Sequence, residues 1–426
     1  MVGESVFARP SAAGGGEAIR VEGFVRPDCH VATPAMTVES TISKWNPKID
    51  SMAELAYFGY NCTMSGNVGA GGAGQSLGRR DFLRGVALIS GLTVLSSLMP
   101  ACLSGSQQTA ELSHPTEPTA LPTPQTKEAG MTKVALVRTM DRGDGVRQAV
   151  NLLDLKSFRG KDVVLKPNFN SADPAPGSTH SDTLRSLITS LQQMEAKQIT
   201  LSERSGPGDS TRVVMEKKGI FKLAEELGFG ILNLEEMAPE GWIQFKPKES
   251  HWSQGFHFPR IYLEAESIVQ TCCLKTHAYG GHFTLSLKNA VGLVPRAGYP
   301  YMGELHSSPY QRQLIAELNT AYSPDLVVLD GVEAFVNGGP ARGTRVDAGV
   351  MLAGTDRVAI DATGVAILRL LGTTAEVSRG SVFAQDQIAR AAELGLGVSS
   401  AKQIQLVTGD AESQAFARQI QDILLR

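Results

Sequence analysis

The chain has 426 residues, of which 42% are hydrophobic and 19% charged, so most of its length can bury a core. A formal net charge of −3, with no basic run, excludes a general nucleic-acid binder, because nothing supplies a broad phosphate-neutralising surface. The cysteines Cys29, Cys62, Cys102, Cys272 and Cys273 share no Cys-x-x-Cys spacing, so no iron–sulfur cluster is expected from this chain alone.

Residues 1–77 are Gly-rich and weakly periodic, and read as a disordered leader or an over-extended gene start, with Met64 the better start. Arg79-Arg80-Asp81-Phe82-Leu83 then runs into an apolar stretch from Val86 to Leu98. Positive end followed by apolar segment is the grammar of an export signal, here of the twin-arginine kind. The stretch is shorter than the roughly 20 residues that span a bilayer as a helix. Leu98-Met99-Pro100-Ala101-Cys102 closes it, with Cys102 the candidate lipidation site of a signal spanning 78–102. These features predict export by the twin-arginine machinery to the periplasm or the outer face of the cell membrane, tethered to the membrane surface if Cys102 is lipidated. Residues 103–131 are rich in Pro, Thr and Ser and read as a linker.

From 132 to 426, β-branched runs alternate with helical patterns, which predicts an α/β domain with a mainly parallel sheet flanked by helices. Strands are expected at Val134–Arg138, Asp162–Lys166, Gln198–Glu203, Ile231–Leu234, Ser267–Leu274, Leu326–Asp330 and Val350–Ala353. Helices are expected at 145–154, 181–195, 211–227, 310–321, 357–371 and 414–425. The region 236–265, with Trp242, His251, Trp252 and His257 among prolines, breaks the alternation and reads as a small irregular or β-rich insertion.

In open α/β sheets the functional crevice lies beyond the carboxyl ends of the strands. Polar residues crowd those ends: Lys166-Pro167-Asn168, Glu203, Lys275-Thr276-His277 and Asp330. Lys166, Lys275 and Lys288, with Asn168 and Asn289, suit a small anionic ligand, a carboxylate or a phosphate. The plainer alternative is solvated lysines on strand ends and a helix face. Glu203, Asp330 and Arg342 complete the candidate substrate-binding set, Arg342 as a carboxylate clamp on a glycine-rich turn. His277, with Lys275 and Lys288, is the candidate catalytic group, since imidazole moves protons near neutral pH. A divalent metal would need His277 and His306 to meet a carboxylate such as Asp356, although Asp356 is equally well placed to cap a helix. The turn Ser205-Gly206-Pro207-Gly208-Asp209-Ser210 reads as a capped strand-to-helix loop, with anion capture on its backbone the weaker alternative.

The same residues carry a resemblance. Lys166-Pro167-Asn168, Lys275-Thr276-His277 followed by Lys288-Asn289-Ala290-Val291-Gly292, Asp330 with Gly339-Pro340 and Gly343, and Asp356-Arg357-Val358-Ala359-Ile360-Asp361 appear in the order seen in the domain-of-unknown-function family 362, which this chain resembles over about 133–411. Some members carry ferredoxin-like modules; this chain has none. The layout also loosely resembles the nickel-pincer lactate racemases, which implies isomerisation or redox chemistry on a hydroxy acid with a lysine-tethered cofactor or a bound metal. The expected function is an exported enzyme acting on a small anionic substrate, metal- or cofactor-dependent in one version. The alternatives are a surface-tethered ligand-binding protein without turnover, and an accessory component of an iron–sulfur redox system.

Overall fold

The computed structural model describes residues 130–155 and 158–426. The export signal at Arg79-Arg80, the start at Met64, the linker to 129 and the lipidation candidate Cys102 lie outside the described residues.

In chain order the first elements are β1 (Thr132–Arg138), α1 (Arg142–Asn151), β2 (Asp162–Lys166), α2 (Ser181–Gln193), β3 (Gln198–Glu203), α3 (Thr211–Lys217), α4 (Ile220–Leu227) and β4 (Gly230–Asn233). A hairpin of β5 (Trp242–Phe245) and β6 (Phe256–Pro259) follows, then α5 (Arg260–Glu264), β7 (Ser267–His277), β8 (His282–Thr284), a 3-10 segment at Leu287–Leu293, α6 (Tyr301–Ser307) and α7 (Gln311–Leu318). The chain continues through β9 (Leu326–Gly338), β10 (Gly343–Gly354), α8 (Arg357–Leu370), α9 (Ala375–Ser378), α10 (Asp386–Glu393), β11 (Ile404–Val407) and α11 (Ala411–Leu424).

The main sheet has the order β11-β1-β10-β9-β7-β2-β3-β4, with β8 paired to β7. Only β10 and the short β8 run against the others, so the sheet is mainly parallel, as expected. Its central strands are buried on both faces and read as continuous apolar runs. Along β9, Val327 and Leu329 join the core under α8, while Leu326 and Val328 join the core under α1 and α2, the period-2 alternation of a strand. The insertion carries β5 and β6 as an antiparallel pair with its own aromatic core, in which Phe245 and Phe256 stack at 5.8 Å and Trp252 is buried.

Several boundaries differ from the sequence reading, β10 among them, which spans Gly343–Gly354 where only Val350–Ala353 was expected. The helix expected over 211–227 is two helices, because Gly219 turns the backbone left-handed at φ 68°. The strand expected to end at Leu274 runs to His277, because β8 pairs with the extension. Asp330 lies within a strand, because β9 continues to Gly338 as one arm of a hairpin with β10. The strand β11 and helices α6, α9 and α10 were not foreseen.

After β2 the chain moves outward through β3 and β4, then crosses back to lay β7 on the other flank of β2. The carboxyl ends of β2 and β7 therefore bound a topological switch point, where neighbouring connections diverge and leave a crevice. Lys166 and Asn168 follow from one strand; Lys275 and His277 come from the other.

Candidate functional site

At the end of β2, Lys166 is 1% exposed and its ammonium donates to Glu203 Oε1 at 2.6 Å, the Pro167 carbonyl at 2.8 Å and Asn289 Oδ1 at 3.2 Å. An ammonium has three donors, and all three are used. Glu203 is equally committed: it also accepts from the Phe169 and Arg204 backbone N–H groups, each at 2.8 Å. The Asn289 amide nitrogen donates to the Thr271 carbonyl. Lys166, Glu203 and Asn289, expected to bind substrate, thus bind one another and lock the ends of β2 and β3 to the Lys288–Gly292 segment. A Cβ on Gly292 would stand 3.0 Å from both Glu203 Oε1 and Lys166 Nζ, so a glycine closes that segment because the ion pair occupies the space of a side chain.

Of two more members of the expected set, Asp330 is committed elsewhere and Arg342 faces outward. Asp330 accepts from Arg142 Nε at 3.0 Å, Thr183 Oγ1 at 2.6 Å and the Val332 N–H, and so anchors α1 and α2 to β9. Arg342 is exposed on the β9–β10 turn. That turn seats against the end of β7, where Ala278 N–H donates to the Gly339 carbonyl and Thr276 Oγ1 to those of Phe335 and Gly338.

The remaining basic groups converge. Lys275, 0% exposed, donates to Asn168 Oδ1 at 3.0 Å and the Gly177 carbonyl at 2.6 Å. Beside its end of β7 the ladder to β9 shifts register, from Cys273 opposite Asp330 to Lys275 opposite Phe335, an irregularity of the kind that re-aims side chains next to sites. Two residues on, His277 is buried and its Nδ1 has no hydrogen-bond partner among the described residues. Its ring stacks on that of His306, centroids 6.3 Å apart and planes within 10°. His306 Nδ1 is engaged by the Gln311 side-chain amide at 3.0 Å. Lys288 is half-buried and has no hydrogen-bond or ion-pair partner among the described residues. A Cβ on Gly281 would stand 2.9 Å from His277 Nδ1 and 3.2 Å from Lys288 Cε, so the absence of a side chain there keeps the two groups in reach of one another. His282 does not join them: it sits near Arg312, Glu376, Asp386 and Gln385.

No carboxylate faces these four groups closely, and their proton affinities show it. Burial pushes the Lys288 amine down to about 7, with Lys275 adding to the shift. His306 is exposed as a residue, yet the protein around its ring lowers it to about 4 by desolvation, again helped by Lys288. His277 falls well below its ordinary value through burial and then Lys288, His306 and Lys275. Lys275 is also lowered, chiefly by burial, with Asp173 opposing. The cluster is a set of bases held short of protons, which an anion would recharge.

A metal held by the foreseen ligands is not assembled. His277 and His306 meet, but Asp356 caps α8, accepting from Ala359 N–H at 3.0 Å and from Val398 N–H at 2.8 Å. Among the described residues no group of three or more His, Cys, Asp or Glu could hold an ion. A cofactor tethered through a lysine would have to use Lys288, since Lys166 and Lys275 are occupied. In the turn after β3, the N–H groups of Ser205, Gly206 and Thr211 are already used, donating to Thr211 Oγ1, the Asn170 carbonyl and Glu235. Cys272 and Cys273 are buried strand residues whose thiols burial pushes up, Cys273 to about 11.

Asp361, the last residue of the Asp356–Asp361 motif, was not singled out from the sequence. It is fully buried, accepts from the Ser286 N–H at 2.8 Å, the Ser286 hydroxyl and the Leu287 N–H at 3.2 Å, and so fixes the start of the segment bearing Lys288 and Asn289. Burial raises its carboxyl to about 7, against these hydrogen bonds. Gln311, which orients His306, had no signal beyond being a polar residue at a helix start.

Known proteins resemble parts of this chain. The chain is 27% identical over 225 residues to the thylakoid-associated protein sll1697 of Synechocystis, covering 50% of this chain and 64% of that protein, so it spans less than two thirds of the relative's length. Among solved structures it overlaps a lactate racemase apoprotein from Thermoanaerobacterium thermosaccharolyticum with a TM-score of 0.32 and 15% identity, covering 50% of this chain and 53% of that one. A protein from Thermotoga maritima overlaps with a TM-score of 0.30 and 16% identity, over 44% and 49% of the two chains. The overlaps are too loose to bear on chemistry. The family described as Domain of unknown function (DUF362) matches over residues 163–366, the stretch holding every residue of the cluster.

Proposed function

We propose that the domain is an enzyme acting on a small anionic substrate, which it holds at the β2/β7 crevice while His277 moves a proton. The observation that carries this is the gathering of Lys275, His277, Lys288 and His306 with no carboxylate among them, and with His277 Nδ1 and the Lys288 amine unpartnered. Buried polar atoms without partners are costly, and a ligand that supplies the missing acceptors recovers that cost. The contacts would be made by these side chains. A pure binding protein has no need of an unpartnered imidazole nitrogen beside a bare amine, and this favours turnover.

The test is calorimetric titration with pyruvate, lactate and inorganic phosphate. Binding of at least one is expected, about tenfold or more weaker in Lys288→Gln, and weaker in the wild type at pH 8 than at pH 6, since Lys288 loses its charge as pH rises through about 7. An unchanged affinity in the variant would remove the proposal. For turnover, His277→Ala should abolish conversion while leaving affinity nearly intact; absence of any conversion by the wild type would favour the binding-only alternative.

Export belongs to the same proposal and rests on the sequence at Arg79-Arg80. Replacing both arginines by lysine is expected to leave the chain in the cytoplasm, followed by fractionation and blotting. Equal export of the variant would count against the twin-arginine route.

A further inference from the structure

We infer that Lys288 is a covalent nucleophile that condenses with the carbonyl of a small 2-oxo acid, so that the crevice takes carbonyl-bearing carboxylates rather than anions in general. This rests on the anionic-substrate reading and deepens it.

The argument starts from how the three lysines divide. Lys166 spends its donors on Glu203, Pro167 and Asn289, and Lys275 is enclosed with Asn168 and Gly177. Neither nitrogen can approach a substrate without first giving up buried partners. Lys288 alone is half-buried and unpartnered among the described residues, and its Cε packs against Gly281, where a side chain would crowd it. Its backbone is held by a separate device, the buried Asp361 that ties down Ser286 and Leu287. A rigidly mounted amine with no hydrogen bonds is poorly suited to a purely electrostatic task, for which a bidentate arginine or a paired lysine serves better. It is well suited to attack, because desolvation next to a second cationic group is what frees an amine's lone pair. The amine's displacement to about 7 agrees with this placement.

The chemistry balances without a co-reactant. The Lys288 nitrogen lone pair forms a bond to the carbonyl carbon, the carbonyl π pair moves to oxygen, and a proton passes from nitrogen to that oxygen. A proton from solvent lets the hydroxyl leave as water while the nitrogen lone pair forms the carbon–nitrogen double bond, giving an iminium that then returns a proton to become the imine. The net change is amine plus carbonyl giving imine plus water. His277 Nδ1, buried and unpartnered, packs against the same glycine as Lys288 Cε, and is the group assigned to pass the proton between nitrogen and departing oxygen. The substrate carboxylate would sit in the field of Lys275 and His306, and the iminium would draw electrons from the adjoining carbon.

The experiment is reductive trapping. The full-length protein is incubated with pyruvate and cyanoborohydride near pH 7.5, digested and mapped by mass spectrometry, with acetone as a neutral carbonyl and lactate as an anion without a carbonyl. The expected result is alkylation of Lys288 at least tenfold faster than any other lysine, slower with acetone, suppressed by lactate, absent from Lys288→Arg and slowed in His277→Asn. The wild-type labelling rate should also rise with a midpoint near pH 7, a readout that needs no variant to fold. Labelling spread evenly over surface lysines, while pyruvate and lactate bind equally well, would overturn the nucleophile and leave the anionic site standing. Failure of both anions to bind would remove both readings. A Lys288 already carrying a modification in protein from an exporting host would also overturn the inference, because the amine would not be free.

Discussion

Glu203→Gln is expected to cost the fold about 3–5 kcal/mol, the usual consequence of removing one partner from a buried ion pair. Both Lys166 and Glu203 are 1% exposed, and the carboxylate serves Lys166 together with the backbone N–H groups of Phe169 and Arg204. The neutral amide keeps one acceptor oxygen and leaves the ammonium buried without its counter-charge. Burial already lowers the Lys166 proton affinity, with Glu203 as the main opposing influence. In the variant the folded value drops further below the unfolded one. The penalty is therefore fully present below the folded value and fades as pH rises towards the unfolded value, so the deficit measured by urea unfolding should shrink as pH rises towards 10.5. Lys166→Met with Glu203→Leu should recover most of the loss, since a well-packed apolar pair often replaces a buried ion pair at little cost. A single-variant deficit below about 1 kcal/mol would mean that the pair is not the clamp described here.

Lys288→Met is expected to act in the opposite direction, stabilising the ligand-free protein while weakening anion binding. The folded amine is displaced from 10.5 to about 7. Each unit is worth roughly 1.4 kcal/mol, and after allowance for solvent at a half-buried group the gain should be about 2 kcal/mol. The sign follows from linkage: the unfolded chain binds the proton more tightly, so wild-type stability rises with pH between about 7 and 10.5. The advantage of the variant should thus be greatest below pH 7 and vanish above about 10.5. Differential scanning calorimetry across that range would check it. A pH-independent gain would point to improved packing instead of a relieved charge. Stability given up at a position that also governs ligand affinity is the usual mark of a site shaped for function.

Asp361 shows how one motif divides its labour. Asp356 and Asp361 share a single sequence pattern, yet one caps α8 and the other holds the Ser286–Leu287 backbone that presents Lys288 and Asn289. The second aspartate is a positioning residue: it acts on the crevice only through the segment it fixes.

The strands β2 and β3 were legible residue for residue, because β-branched runs bounded by polar ends admit few other readings. The α/β class, the β-rich insertion and the list of polar strand ends followed from the same local patterns. So did the candidate set, since Lys275, His277, Lys288 and His306 were all named from their positions. What local pattern could not supply was pairing. Whether a lysine at a strand end is spent on a buried glutamate, as Lys166 is, or left bare, as Lys288 is, depends on which strand lies alongside, and that was decided when β7 crossed back to flank β2. The same holds for Asp330, withdrawn from the crevice by Arg142 and Thr183 from two different helices, and for Asp356, kept from the histidines by the helix it caps. Sequence determined which groups could do chemistry; tertiary structure decided which of them are satisfied and which still lack a partner, because hydrogen-bond satisfaction is a property of neighbours distant in the chain.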